Sequence, residues 1–552
     1  MAPEIVTPSP AGPSPLDDYR RAALPLPNQF RRWHLYGAGL ENVGDPQNHA
    51  PETLDLPEPG PDQILVRHDA CGICFSDIKI IALGGEHPRL QGRDLKADPV
   101  VMGHEVALTV VKVGANQQDK FRPGQRFIVQ ADVFYHGVNL AYGYALPGGM
   151  AQFGLVGPEV LAGDEGCYLL PIEDKTGYAE AALVEPWACV EAAYHWHHRD
   201  GVKPSGQALM VTKKKKVERS EDGSLTWSGA DEDFPSLPKG GYDDIIFVGT
   251  PVPEDFERAC SNLGKEGLVC LLLPPSEPLA RPVKVDVGRV HYDGHRYVGG
   301  SVMSDTNPYT TNGRNELKSG GAAWFIGAAG PMGQMHVQRA LQRPEPPAKI
   351  VGTDRDPARL QSLRDRFGKL AGEKNVELVL FNPEDPDAPK IQELAPGGFD
   401  DIVVMVPSAA LIEQAFPRLA PGGVLNVFAG VARGTMATLD MTDIATKNVR
   451  IVGTTGSTIE DMKRTRDVME QGALDTGASL AAIGGLNAFR DGLDAVKNGT
   501  FPGKTVIFPQ IEDLPLTSLA DLKTVRPNVF ANLRDGRFWT AEAEAELLRE
   551  AL

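Results

Sequence analysis

Two short segments carry side chains that could hold a borderline-soft metal ion. Cys71-Gly72-Ile73-Cys74-Phe75-Ser76-Asp77 supplies two thiols, and Gly103-His104-Glu105, about 30 residues later, supplies an imidazole and a carboxylate. Thiolate, imidazole and carboxylate are the ligand types of zinc. Cys71 and Cys74 alone are equally consistent with a redox pair, half of a zinc ribbon or two core cysteines. No second Cys-x-x-Cys exists to complete a ribbon, and the residues before Cys71 do not resemble a redox helix. A third segment, Gly327-Ala328-Ala329-Gly330-Pro331-Met332-Gly333, is a small-residue turn between an apolar run and a helical pattern. Such a turn can present backbone N–H groups to a phosphate.

The elements that must position these groups fall into two patterns. From Trp33 to about Val160 short strand-like runs dominate: Gln63 to His68, Val106 to Val113 and Gln125 to Gln130. Punctuated by Gly and Pro, they predict a barrel-like β lobe. Glu185 to His198 reads as helix. Further on, Ala322 to Gly327, Lys349 to Asp354, Asp400 to Val406 and Gly423 to Phe428 read as buried strands. Met332 to Leu341 and Pro357 to Phe367 read as helices between them. Alternating strand and helix predicts a parallel sheet covered on both faces.

The chain has 552 residues, room for roughly three to four domains at ~150 residues each. A net charge of −18, from 55 basic and 73 acidic residues, argues against a nucleic-acid or anionic-membrane partner. Six cysteines are too few for a disulfide scaffold and suit a reducing compartment. No run approaches the ~20 apolar residues of a membrane span, and the N-terminus lacks a basic start with an apolar stretch. A soluble, cytoplasmic protein is expected, with a Pro- and Ser-rich tail over residues 1–27.

An internal repeat explains the length. Gly241-Tyr242-Asp243-Asp244-Ile245-Ile246 answers Gly398-Phe399-Asp400-Asp401-Ile402-Val403, and Leu263 to Val269 answers Leu419 to Leu425. Val285-Asp286 followed by Arg296-Tyr297-Val298-Gly299 answers Leu439-Asp440 followed by Arg450-Ile451-Val452-Gly453. The earlier copy, from about Gly206 to Gly300, runs from its first strand into Lys213 to Lys216 with no Gly-rich turn. It is therefore expected to bind no dinucleotide and to serve packing, oligomerisation or cover of the active site.

These motifs, with Leu183-Val184-Glu185-Pro186, stand in the order found in the zinc-dependent medium-chain alcohol and polyol dehydrogenases, which the chain resembles from about Trp33 to Pro509. Within that family, Phe121 to Arg126, Phe399 to Ile402, Gly422 to Gly430 and Gly453 to Gly456 resemble the sorbose-1-phosphate reductase-type branch. The resemblance implies an α/β protein with a GroES-like β-rich catalytic domain and a Rossmann-type doubly wound sheet; the internal repeat adds a degenerate second Rossmann-like unit, which is not part of the family's usual architecture. It implies a tail at 1–27, a catalytic domain at 28–200, the degenerate repeat and linker at 201–320, and the NAD-binding domain at 321–480. A return to the catalytic domain at 481–510 and a C-terminal helical extension at 511–552 complete the expected order.

The resemblance also assigns residues. Cys74, His104, Glu105 and Glu185 become the ligands of one catalytic zinc, with Cys71 outside the set. Ser76 takes the proton-relay position, Asp77 stands behind the ligands, and Ser76, His104 and Glu105 are the catalytic group. No structural zinc is expected, because no cysteine lies between Cys74 and Cys167. Aligning the turn with the dinucleotide fingerprint puts Ala328 at the first glycine, Gly330 beside the pyrophosphate and Gly333 at the helix–strand contact. Gly327, Pro331 and Met332 complete it. Asp354 stands about 20 residues on, where a carboxylate accepts from the adenosine ribose hydroxyls, which favours NAD. Arg355 works against that preference, since a guanidinium can receive the 2′-phosphate of NADP. Lys504 resembles a basic position near the cofactor pyrophosphate.

The implied activity interconverts a secondary alcohol and a ketone on a polyol, sugar or sugar phosphate, in a homo-oligomer (dimer or tetramer). Transient oxidation by a sugar lyase or epimerase, and a non-catalytic scaffold, are the alternatives. Several features have plain readings. His195, His197 and His198 do not share a helical face, Lys213 to Lys216 read as a solvated loop, and Cys167, Cys189, Cys260 and Cys270 as small core residues. Tyr142, Tyr144 and His136 stand where the family lines its substrate cleft, or simply pack.

Overall fold

The computed structural model describes residues 14–90, 92–196, 199–212, 218–219, 225–227, 240–303, 307–310 and 313–552. His197, His198 and Lys213 to Lys216 lie outside the described residues. Two compact units are present: Met1–Ala188 with Ser457–Leu552, and Cys189–Gly456.

The first unit is built on an eight-stranded sheet. Its central strand, Ile64–Ile73, is buried along its whole length, because it has sheet neighbours on both edges and layers on both faces. Glu105–Val113 and Lys504–Phe508 flank it, both antiparallel, so the late strand completes the early one. Residues 457–480, assigned by sequence to the nucleotide domain, belong to this unit. The C-terminal stretch is more than a helical extension. Thr517–Ser518 pairs with Leu480–Gly485, and buried Glu544 of helix Ala541–Ala551 accepts from the backbone N–H groups of Tyr178 (2.5 Å) and Ala179 (2.8 Å). The expected N-terminal tail is also partly structured. Helix Pro15–Arg20 buries Tyr19, whose hydroxyl donates to Asp69 at 2.7 Å while Arg67 donates to the Tyr19 carbonyl.

The second unit is one twelve-stranded sheet. Its C-terminal half runs Glu377–Phe381, Lys349–Thr353, Ala322–Ile326, Phe399–Val404, Leu419–Val427 and Arg450–Val452, with successive strands parallel. Its N-terminal half repeats that order outward from Arg296–Ser301, through Leu263–Leu273, Tyr242–Val248, Ala208–Thr212 and Leu225–Trp227, to Glu218–Arg219. Only the outermost pair differs, Glu218–Arg219 lying antiparallel to its neighbour. The repeat begins earlier than Gly206. Arg199 donates to Asp244 (2.7 Å), the Lys203 N–H to Asp244 and Lys203 Nζ to Asp243. In the later copy Arg314, the Lys318 N–H and Lys318 Nζ make the same three bonds to Asp401 and Asp400.

The two halves meet about a pseudo-two-fold axis. Equivalent residues Tyr297 and Ile451 face each other across the antiparallel seam. In the adjoining ribbon Val283 opposes Leu439 and Val285 opposes Ala437. Val285 is the repeat counterpart of Leu439, so the two pairs exchange under the rotation. This is the self-complementary pattern of an isologous contact, made within one chain.

All six cysteines are free; Cys270 is buried, but Cys167 is exposed, which corrects its reading as a core residue. His195 pairs with Glu191 one helical turn back, at 3.3 Å. Among the described residues no helix is long and apolar enough to cross a membrane.

A half-buried carboxyl, Glu180, beside the buried Glu544 makes the stability of the first unit pH-dependent. Burial, and then the neighbouring Glu544, push Glu180 up to about 7. A carboxyl whose folded pKa is raised keeps its proton longer than in the unfolded chain, so stability falls as pH rises from about 4.5 to about 7. Glu180→Gln should flatten that decline by about 2–3 kcal/mol, read from denaturant midpoints at pH 5 and pH 8.

Candidate metal centre and cofactor turn

The start of helix Phe75–Leu83 positions the thiol of Cys74. Asp77, in the first turn, accepts from the Cys74 N–H at 2.9 Å, which fixes the chain direction where strand becomes helix. Glu105 opens its strand directly opposite Gly72. A Cβ on Gly72 would fall onto Glu105 Oε2, so only glycine leaves room for that carboxylate. The result is a cluster in which one ligand atom each from Cys74, His104 and Glu105 lie within 4.8 Å of one another. Cys71 stays in the buried strand outside the cluster.

The surroundings suit a cation. Asp77 Oδ1 stands 3.5 Å from His104 Nδ1, which leaves Nε2 to face Ser76 Oγ at 3.2 Å. Burial works against charging His104, yet Tyr144 and Asp77 outweigh it and hold the imidazole well above its ordinary pKa. Glu105 is fully buried (0% exposed), and its Oε2 has no hydrogen-bond partner. A buried carboxylate oxygen left open beside a thiol and an imidazole is the donor set zinc requires.

Glu185, expected as a further ligand, stands outside the three-residue cluster. Its place on helix Val184–Ala192 sets its carboxyl beside the cluster instead. Burial raises that carboxyl to about 7, Glu105 adds to the rise, and His104 opposes it. Lys504, expected near a pyrophosphate, is buried behind the metal cluster. Its Nζ donates to Glu105 Oε1 at 2.5 Å and to the Ile73 carbonyl at 3.1 Å. Burial lowers the Lys504 pKa, but the charges of Glu105 and Cys74 prevail and raise it above normal.

Tyr142 is a packing residue, its hydroxyl 2.8 Å from His68 Nε2 in the core. His136 holds a turn, its N–H on Asp164. Tyr144 does reach the site: its ring centroid is 5.5 Å from that of His104 and 5.5 Å from that of His87. Arg89 lies 4.8 Å over the same ring and pairs with Asp132 at 2.7 Å. The sequence reading missed His87, Arg89 and Lys79, which are scattered among apolar and acidic residues between the Cys74 and His104 segments and form no local motif.

In the second unit the turn follows strand Ala322–Ile326 and leads into helix Pro331–Gln342, with Gly330 as N-cap, Pro331 in the first position and Met332 next. Gly327 and Ala328 both donate to the Thr353 carbonyl. Gly333 presses on the Gly327 carbonyl and the Ala328 backbone, where any side chain would collide. At Gly330 the space a Cβ would take is nearly open. Asp354 ends strand Lys349–Thr353 and accepts from the Ala329 N–H at 3.1 Å. Arg355 is 80% exposed and paired with Glu384. Small residues at the turn with a carboxylate at the next strand end fit a dinucleotide.

Residues 60–191 match the alcohol dehydrogenase GroES-like domain, and residues 331–471 the zinc-binding dehydrogenase domain. The chain belongs to the zinc-dependent medium-chain polyol dehydrogenase family. It is an enzyme of that family, using zinc and a nicotinamide cofactor. It is 25% identical to mannitol-1-phosphate 5-dehydrogenase of Aliivibrio fischeri, over 90% of this chain and 94% of the relative. It is 26% identical to L-sorbose 1-phosphate reductase of Klebsiella pneumoniae, over 91% and 94%. The fold is shared with 2R,3R-butanediol dehydrogenase from Bacillus subtilis, with TM-score 0.52, 17% identity and coverage of 87% and 99%.

Removing the Lys504 ammonium while keeping its stem would leave the Glu105 carboxylate buried without its counter-charge, a loss of about 3–5 kcal/mol. A bound metal cation would replace part of that charge. Lys504→Met should therefore unfold at a much lower temperature in chelator, and regain more on adding zinc than the parent does, in paired thermal scans.

Proposed function

We propose that the protein is a one-zinc, NAD-linked dehydrogenase or reductase that interconverts a secondary alcohol and a ketone on a phosphorylated polyol or sugar. The observation that carries this reading is the Cys74, His104 and Glu105 cluster with the Ser76 hydroxyl on His104. When bound, zinc supplies Lewis-acid polarisation of a carbinol or carbonyl oxygen, and the nicotinamide supplies the hydride partner.

The chain's own residues do the rest. Cys74, His104 and Glu105 hold the metal, Asp77 orients the imidazole through Nδ1, and Lys504 balances the Glu105 charge from behind. Glu185, half-protonated near neutral pH beside the cluster, and Ser76 move the hydroxyl proton during oxidation and return it during reduction. Tyr144 walls the His104 side against water. Asp354 supports NAD over NADP, since its carboxylate stands at the strand end while Arg355 is turned to Glu384.

A phosphorylated substrate is supported by the names of the two relatives and by charge at the site. His87 and Arg89 stand against the Tyr144 ring, with Lys79 near His87. Burial lowers His87, and the positive charges of Arg89 and Lys79 lower it further. A phosphoryl group there would meet cationic and hydrogen-bonding side chains, one of them, Arg89, paired with Asp132. Any homo-oligomer must form through surfaces other than the edge of Arg450–Val452, which is already paired inside the chain.

The test is NAD+ reduction against polyols and polyol phosphates, with metal analysis of the same sample. About one zinc per chain is expected, lost together with activity in Cys74→Ser; retention of both would overturn the assignment. Arg89→Ala should raise KM at least about tenfold for the phosphate ester while leaving kcat and turnover of the unphosphorylated polyol nearly unchanged.

A further inference from the structure

Arg450 is 1% exposed, yet none of its three guanidinium nitrogens has a hydrogen-bond partner. Its repeat counterpart, Arg296, also has a buried, unpartnered Nε. Among the described residues neither makes an ion pair. Leaving a guanidinium in a protein interior without a counter-charge is among the costliest arrangements available.

Both arginines flank the pseudo-two-fold axis. Tyr297 opposes Ile451, so Val298 opposes Arg450 and Arg296 opposes Val452. Alternation along the strands puts Arg296, Val298, Arg450 and Val452 on one face, and Tyr297 and Ile451 on the other, in the main core. Arg296 and Arg450 are then diagonal neighbours, with Cα atoms roughly 7–8 Å apart, and long side chains from such positions converge. Burial lowers the Arg450 guanidinium to about 10, with the charge of Arg296 adding to the fall. Burial likewise lowers Arg296 to about 10, Glu266 opposing and Arg199 adding to the fall.

Among the described residues no acid pairs with either arginine. Glu266 is exposed, and its repeat counterpart is Gly422. Asp244 is held through Oδ2 by Arg199 and the Lys203 N–H, and its buried Oδ1 has no partner. On the same face the buried Tyr309 hydroxyl also has no partner. Arg296 is only half-buried and gives access from solvent, lying 5.4 Å over the Trp196 ring.

We propose that the seam between the two sheet halves holds a small divalent oxyanion between Arg296 and Arg450, either inorganic phosphate or the phosphoryl group of a small phosphate ester. Two guanidinium forks match its charge and its oxygens, and the Tyr309 hydroxyl supplies a further donor. The site lies in the sheet seam of the second unit and uses none of the residues of the metal cluster or the cofactor turn.

The experiment is thermal unfolding of the zinc-loaded full chain in saturating NAD+, with phosphate titrated at constant ionic strength against chloride. A rise of roughly 1–3 °C is expected at about ten times the phosphate Kd. Arg89→Ala should keep that rise and Arg450→Met should lose it. Arg296→Met, a change at the more exposed member, reports the same loss should Arg450→Met not fold. A small phosphate ester that reproduces the rise identifies a phosphoryl group as the ligand; a rise with inorganic phosphate alone identifies the free ion. No rise in the parent, or an equal rise in both arginine variants, would overturn the proposal.

Discussion

The contact between Lys504 and Glu105 is the constraint on which the metal centre depends. Three elements distant in sequence must meet for it to form: the strand that holds Gly72, the strand that Glu105 opens, and the late strand that Lys504 begins. A fully buried carboxylate with one oxygen left unpartnered would be intolerable without a cation on the other oxygen. Lys504 supplies that cation and spends a second proton on the Ile73 carbonyl, one residue before Cys74. The same side chain therefore balances the charge of one member of the candidate cluster and holds the backbone leading to another. It also explains why the chain returns to the first unit after crossing the second. Without that return the central strand would lack an edge partner and Glu105 its counter-charge.

Around this pair Asp77 faces one nitrogen of His104, burial raises the Glu185 carboxyl, and the Tyr144 ring stands 5.5 Å from the imidazole.

The second unit solves a different problem. A parallel sheet leaves a row of unpaired backbone groups at its edge, and such an edge invites another strand. Here the edge strand Arg450–Val452 is covered by Arg296–Ser301, the corresponding strand of the internal copy. The copy keeps the features that build the sheet, down to the Arg199, Lys203, Asp243 and Asp244 network. In sequence, Lys213 to Lys216 stand where the later copy has the small-residue turn from Gly327 to Gly333. One consequence of the pairing is that two equivalent arginines flank the axis.

Much of this was legible in the residues. Ligand types at Cys74, His104 and Glu105, the small-residue turn with Asp354 after it, and the repeated Gly-aromatic-Asp-Asp strands are local signals that need no knowledge of the fold. So are the strand and helix periods of the parallel sheet. The misreadings share a physical cause. Lys504 is a single residue whose role depends on which distant group it faces, and the tail residue Tyr19 is held by Asp69 and Arg67 from a strand some fifty residues away. The start of the repeat at Arg199 was hidden because a hydrogen-bond network, and not an apolar pattern, defines it. Sequence by itself determined the chemistry on offer, because ligand softness, turn conformation and hydrophobic period are properties of residues and their neighbours. Only the tertiary structure decided which charges are balanced and which are left open, because the energy of a buried charge depends on what stands within a few ångströms in space, whatever the distance along the chain.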